Sequence, residues 1–218
     1  MQAIKKVSTV LALGLVVSIA AEAGVINSLL YNTGLDNSGN VVAATGGIDG
    51  NWDVDPGGDA ITYLNGAYAA NDTDSQWISS NASGGNETTS ATDYLFSTTF
   101  DLTGYDASSA EITGSWGVDN YATIFLNGTD TGVSLAFGTG SFNTLHAFSI
   151  SDFFVDGINE LTVAVTNGYD TNPSAEPGPM ALRFDDMEFS AVAVPEPSTL
   201  ALLALSLMGL GCARRQKS

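Results

Sequence analysis

Basic side chains are nearly missing from this 218-residue chain: six Lys and Arg stand against 24 Asp and Glu. Five of the six lie at the ends, Lys5 and Lys6 in front and Arg214, Arg215 and Lys217 behind. Between residues 24 and 194 one base, Arg183, faces 22 acids, a formal charge of −21. Such a surface repels phosphate backbones, which excludes nucleic acid as a partner. Histidine is equally scarce, and the single His146 excludes a multi-histidine metal centre. The lone Cys212 excludes a disulfide scaffold and a cysteine-based zinc site. Sustained helical periodicity is missing too. No stretch between 24 and 194 keeps a 3.6-residue apolar period over three turns. What the chain does have is 44% apolar residues, enough for a core, and 24 glycines to punctuate it.

The two ends read as addresses. Lys5 and Lys6, the apolar run 7–20 and the small-x-small triplet Ala21-Glu22-Ala23 are the three parts of a secretory signal peptide. Cleavage by signal peptidase after Ala23 gives a mature start near Gly24. At the other end, Val194-Pro195-Glu196-Pro197-Ser198 precedes an apolar run, 200–212, and the cluster Arg214-Arg215-Gln216-Lys217. As a helix, 13 residues reach roughly 20 Å, short against the ~20 residues of an ordinary span. The basic cluster stays cytoplasmic by the positive-inside rule. The body is therefore delivered outward and held briefly by its tail.

Pro195-Glu196-Pro197, the apolar helix and the terminal Arg214 and Arg215 resemble the PEP-CTERM sorting signal of Gram-negative bacteria. The same segment is catalogued as an ice-binding protein C-terminal motif, a label that does not imply ice binding. The resemblance implies cutting by an exosortase near the Pro-Glu-Pro motif. It also implies transient anchoring in the inner membrane, then release to the cell surface or the extracellular polysaccharide. The expected organisation is a signal peptide at 1–23, one domain at 24–192 and the sorting signal at 193–218.

The domain reads as β-structure. Leu95, Ser97 and Thr99 alternate with Phe96, Thr98 and Phe100. Ile112, Trp116 and Val118 share one face, and 121–126 (YATIFL) reads as the next strand. Asp119-Asn120 is the expected tight hairpin between those two, and Asn127-Gly128 the next turn. Leu161, Val163 and Val165 alternate with Thr162, Ala164 and Thr166, and 182–189 is the expected last strand. Short strands at this spacing predict an all-β antiparallel sandwich. Residues 25–81 are richer in loops, with aromatic anchors at Tyr31, Trp52, Tyr63, Tyr68 and Trp77, and no linker separates them.

The ordered string Trp77-Ile78-Ser79, residues 94–102, Gly114-Ser115-Trp116-Gly117-Val118-Asp119-Asn120, Leu126-Asn127-Gly128 and Gly157-Ile158-Asn159-Glu160-Leu161 resembles the galactose-binding-domain-like jelly roll. The resemblance covers most of 77–190. Its marks are turns, so it implies fold more than function.

Chemistry is less legible. A glycosidase needs two carboxylates ~5–9.5 Å apart, and 22 acids leave the pair unassigned. A Ser-His-Asp site would need His146 as base, and no Gly-x-Ser-x-Gly elbow accompanies it. A partly buried or edge-strand histidine is the plainer reading. Calcium takes hard oxygen ligands. Asp53-Val54-Asp55-Pro56-Gly57-Gly58-Asp59 has D-x-D spacing, which makes Asp53, Asp55 and Asp59 candidate ligands. Asn71-Asp72-Thr73-Asp74 and Asp185-Asp186 offer similar groups without a fixed spacing. The jelly-roll resemblance also implies a structural calcium.

For a polysaccharide ligand, exposed aromatics would stack on sugar faces while loop-tip amides bind hydroxyls. Tyr169, Trp77, Trp52 and Asn127 are the candidates, with Tyr169 in the most polar loop. Trp116 alternates with core positions and is expected to be buried, and Arg183 is expected to pair with Asp185 two residues on. The leading expectation is a non-catalytic carbohydrate-binding or structural module. A secreted glycosidase or lyase, and a calcium-dependent adhesion protein, are the alternatives.

Overall fold

The computed structural model describes residues 23–26, 30–85, 92–136, 138, 141–168, 178–194 and 205. The expected signal helix lies outside them, as does all of the expected tail helix but Leu205, and no described helix is long and apolar enough to cross a membrane.

The described residues form an all-β antiparallel fold of eleven strands. These are β1 (Ala23–Val25), β2 (Ile48–Asp55), β3 (Gly58–Thr62), β4 (Ile78–Ser79), β5 (Thr92–Asp101), β6 (Tyr105–Asp119), β7 (Tyr121–Leu126), β8 (Thr129–Leu135), β9 (His146–Ile150), β10 (Ile158–Asn167) and β11 (Ala181–Ala193). Hydrogen-bonded neighbours run β8-β7-β10-β5-β2-β3-β4-β11-β6-β9, and β1 pairs with β11. The path folds over on itself, with β2, β3 and β4 as the bridge. One layer is β8-β7-β10-β5 and the other β11-β6-β9. From β5 onward the chain crosses between layers at every connection except the β7–β8 hairpin, as a jelly roll does.

Alternation explains the layers. In β10, Leu161, Val163 and Val165 are fully buried, while Thr162, Ala164 and Thr166 face outward and half-exposed. In β7, Ala122, Ile124 and Leu126 point inward in the same way. β6 and β11 answer from the other layer with Ile112, Trp116, Val118, Leu182, Phe184 and Phe189. Rings knit the layers together: Phe100 of β5 lies 5.4 Å from Phe189 of β11. Each large apolar side chain taken fully out of water contributes about 1.5–3 kcal/mol.

The Asn127-Gly128 hairpin forms as the sequence predicts. Leu126 pairs with Thr129, and Asn127 (φ 51°) and Gly128 (φ 75°) supply the two left-handed residues of a type I′ turn. The Asp119-Asn120 hairpin does not form. β6 pairs with β11 and β9, whereas β7 pairs with β10 and β8. The two residues are a corner between layers, because Val118 and Ala122 enter the core from opposite sides. Side chains hold that corner. The buried Asp119 carboxylate accepts the Tyr68 hydroxyl at 2.8 Å, and Asn120 Oδ1 accepts the Gly168 N–H at 2.8 Å.

The loop-rich segment packs onto the sandwich. Thr33 Oγ1 donates to the Gln76 carbonyl at 2.7 Å and accepts the Phe184 N–H at 3.0 Å. The buried Asp49 carboxylate accepts the N–H groups of Gly34 (2.6 Å), Asn51 (2.8 Å) and Trp52 (3.2 Å). Tyr68 and Trp77 form a second apolar cluster with Ala181, flanked by Tyr63, Phe142 and Leu145.

Candidate functional site

Two of the sequence-derived platforms, Trp52 and Trp77, do not survive as platforms. Trp52 is 1% exposed and Trp77 is fully buried. The Trp52 ring stacks on Phe184 at 5.2 Å, and Phe184 stacks on Trp116 at 5.9 Å. Trp77 packs against Tyr68 at 4.7 Å and donates its indole N–H to the Ala69 carbonyl at 2.8 Å. Gly117 makes room for it, since a Cβ there would sit 2.7 Å from the Trp77 ring. Both tryptophans are core, and neither can lie against a sugar. Asn127 is committed as well. Its amide donates to the Phe153 carbonyl (2.9 Å) and Asn159 Oδ1 (2.8 Å), and its Oδ1 accepts the Glu160 N–H (3.0 Å). Trp116 is buried as expected, and His146 starts the edge strand β9.

Tyr169, Ala21, Pro195, Glu196, Pro197, Arg214 and Arg215 lie outside the described residues. Ala23 opens β1, its backbone opposite Val192.

The sequence-derived calcium ligands do not form a converging set. Asp53, Asp55 and Asp59 are exposed along the β2–β3 hairpin, where Asp53 faces Asp59 across the ladder. Among the described residues, the three carboxylates that come within 4.8 Å of one another are instead Asp72, Asp74 and Asp185. A cation already sits with them. Arg183, 1% exposed, pairs with Asp72 and, at 3.2 Å, with Asp185. Its Nε donates to Ser75 Oγ at 2.8 Å and its Nη1 to the Ala70 carbonyl. Ser75 Oγ in turn donates to Asp185 Oδ1 at 2.8 Å.

Burial pushes the Asp72 carboxyl up, but hydrogen bonds from Asp74 and Ser75 and the Arg183 charge outweigh it and hold it at about 2. Asp74, sharing a hydrogen bond with Asp72, is raised, and burial raises Asp185. The oxygens of Asp72 and Asp185 are spent on the guanidinium and on Ser75. This donor set fits an internal arginine and does not fit a calcium ion, which needs six to eight free oxygens.

The open polar surface centres on Tyr31, a residue the sequence offers only as an anchor. Its carbonyl accepts the Trp52 indole N–H at 3.2 Å, which fixes the backbone, while the residue stays half-exposed. On one side is a cleft of about 370 Å³ lined by Tyr31, Gly50, Asn51, Asp53, Ser97, Thr98, Thr99 and Glu160. It lies on the outer face where β2, β5 and β10 run together: Asp53 is opposite Ser97, and Glu160 opposite Thr99. On the other side is a cleft of about 560 Å³ to which Tyr31, Asn32, Gly39, Asp74, Asp186 and Glu188 contribute.

A bulge in β11 between Asp185 and Glu188 shapes that second cleft. Asp186 takes φ 50° there, which leaves Asp186 and Glu188 exposed and Met187 buried. Asn32 ties the wall, donating to the Asp74 carbonyl (3.1 Å) and accepting the Met187 N–H (2.8 Å). Tyr31 thus stands between two concave surfaces rich in carboxylates, amides and hydroxyls. Residues 31, 53, 74, 97, 160 and 186 meet only through long-range folding, so no local sequence signal marks them as a set.

The PEP-CTERM protein-sorting motif matches residues 193–216. No curated protein matches the chain significantly. Among solved structures, the chain is similar to the CBM36-1 domain of a multidomain xylanase from the hindgut metagenome of Trinervitermes trinervoides. Identity is 10% over 46% of this chain and 71% of that one, with a TM-score of 0.28. It is also similar to TmCBM61, solved with beta-1,4-galactotriose, at 11% identity over 77% of this chain and 86% of that one (TM-score 0.31). A GH2 beta-galacturonidase from Eisenbergiella tayi, bound to galacturonate, matches at 11% identity over 76% of this chain and 24% of that one (TM-score 0.31). At such scores these likenesses carry no argument about ligand or activity.

Proposed function

We propose that the sandwich is a non-catalytic carbohydrate-binding module with Tyr31 as its platform. The chain carries the PEP-CTERM motif, which marks an exported protein sorted by an exosortase. In this reading signal peptidase cuts near Ala23, residues 200–212 anchor the protein briefly, and the released body meets polysaccharide outside a Gram-negative cell. The observation that supports a glycan ligand is the half-buried Tyr31, which lines two polar clefts at once. A sugar presents an apolar face and a rim of hydroxyls. A fixed ring answers the first, and Asn51, Ser97, Thr99 and Asn32 answer the second.

Affinity electrophoresis of the full chain in non-ionic detergent, through gels holding a panel of polysaccharides, tests this. At least one polysaccharide is expected to retard the wild type, with Tyr31→Ala running free and Tyr31→Trp retarded again. Retardation that Tyr31→Ala leaves intact would remove the platform assignment. Polysaccharide turnover by the same protein would replace the module with an enzyme.

A further inference from the structure

We infer that the Tyr31 clefts select glycans carrying free amino groups, such as chains with unacetylated hexosamine units, and reject acidic polysaccharides. This rests on the carbohydrate reading above and names its substrate class. Asp53 and Glu160 line one cleft and Asp74, Asp186 and Glu188 the other, all five exposed. No basic residue lines either cleft. Arg183 is the one Lys or Arg among the described residues, and it is 1% exposed with Nε, Nη1 and Nη2 all donating to protein oxygens. A uronate or sulfate entering here meets like charge and finds no counter-ion.

An ammonium group meets the opposite. It is attracted by the carboxylates and by the negative face of the Tyr31 ring, the same ring that stacks on the sugar. Two adjoining clefts share that ring, so amines on successive sugar units have acids on both sides of the platform. The ring selects for sugar and the acids select for charge, which makes the two contributions separable by mutation.

Isothermal titration of the full chain in non-ionic detergent with four probes separates them. The probes are a β-1,4-linked glucosamine tetramer, its fully N-acetylated counterpart, a galacturonate tetramer and tetralysine. The amine tetramer is expected to bind at least tenfold more tightly than the acetylated one, with no detectable galacturonate binding. Glu160→Gln and Asp186→Asn are each expected to weaken the amine tetramer several-fold more than they weaken the acetylated one. Asp106→Asn, an acid of the other layer, is expected to change neither.

Equal binding of the amine and acetylated tetramers, abolished by Tyr31→Ala, would overturn the charge selection while the carbohydrate reading stands. Galacturonate binding as tight as the amine tetramer would overturn it equally. Tetralysine binding as tightly as the amine tetramer would overturn the glycan assignment in favour of a cationic peptide. Binding of no saccharide at all would overturn both readings.

Discussion

Two acidic neighbourhoods lie side by side on this molecule, and Asp74 belongs to both. In the first, Asp72 and Asp185 close around a buried arginine and spend their oxygens on it. In the second, Asp53, Glu160, Asp186 and Glu188 stand exposed around a tyrosine with no cation beside them. One neighbourhood carries its own counter-charge and is structural. The other leaves its charge to be met from outside. Carboxylate density alone therefore says little about function in so acidic a chain; the nearest cation decides.

The comparison breaks most readily at its buried side. Arg183→Met leaves the buried Asp185 carboxylate without its partner, which costs about 3 kcal/mol, while Asp72, 42% exposed, is screened by water and adds little. Urea unfolding at pH 7 measures it, and a loss under about 1 kcal/mol would show that the arginine is dispensable. The aromatic pair joined by the Trp52–Tyr31 hydrogen bond makes a parallel test. Trp52→Ala removes a ring stacked in the core and is expected to cost about 3–5 kcal/mol. Tyr31→Ala is expected to cost about 1 kcal/mol or less while abolishing retardation by polysaccharide. Equal losses of stability would mean that Tyr31 is a core residue after all.

A third test concerns acids that have neither an arginine nor open water. Burial pushes the Asp119 carboxyl up to about 6, despite the hydrogen bond from Tyr68. Burial likewise pushes Asp49 up to about 6, against the N–H groups of Asn51, Gly34 and Trp52. The folded state holds these protons more tightly than the unfolded chain, whose carboxyls titrate near 3.8. Stability therefore falls as pH rises from about 4 to 6, by on the order of 2 kcal/mol per group. Asp72, held at about 2, works in the opposite sense: its contribution is present above about pH 4 and is lost as pH falls through 2.

Asp119→Asn keeps an acceptor for Tyr68 and is expected to flatten the decline between pH 4 and 6, read as Tm against pH. An unchanged slope would place the titration elsewhere. The smallest effect is expected from chelation. Because Arg183 already pairs with two of the three converging carboxylates, EDTA is expected to move Tm by less than about 1 °C; a drop of several degrees would mean that a metal holds the fold.

What the sequence reveals follows the range of the interaction. Period-2 alternation in 158–167 and the Asn127-Gly128 turn are local, and both match the structure. The Arg183–Asp185 pair is two residues apart on one strand, so it too is legible. Asp119-Asn120 carries the right chemistry for a turn, but which strand each flank pairs with is decided by the whole sandwich. Trp52 and Trp77 sit in loop-rich sequence, where neighbours reveal nothing of burial. Their cover comes from Phe184 and Gly117, more than a hundred and about forty positions onward. Asp72 meets Arg183 from 111 residues away. The Tyr31 clefts are assembled from six separate stretches, which is why a tyrosine that looks like an anchor in the sequence comes to line both.

The course of β11 has a mechanical consequence. It pairs antiparallel with β6 along most of its length and with β1 at Ser190, Ala191 and Val192, and Val194 donates a last hydrogen bond to Gly104. The sorting motif begins where this strand ends. Any pull on the tail therefore enters the domain along the axis of a doubly flanked strand. The bonds on both sides are loaded together in shear, rather than opened one at a time like a zipper. A protein hauled by its tail is in this way gripped at a strong point of its architecture.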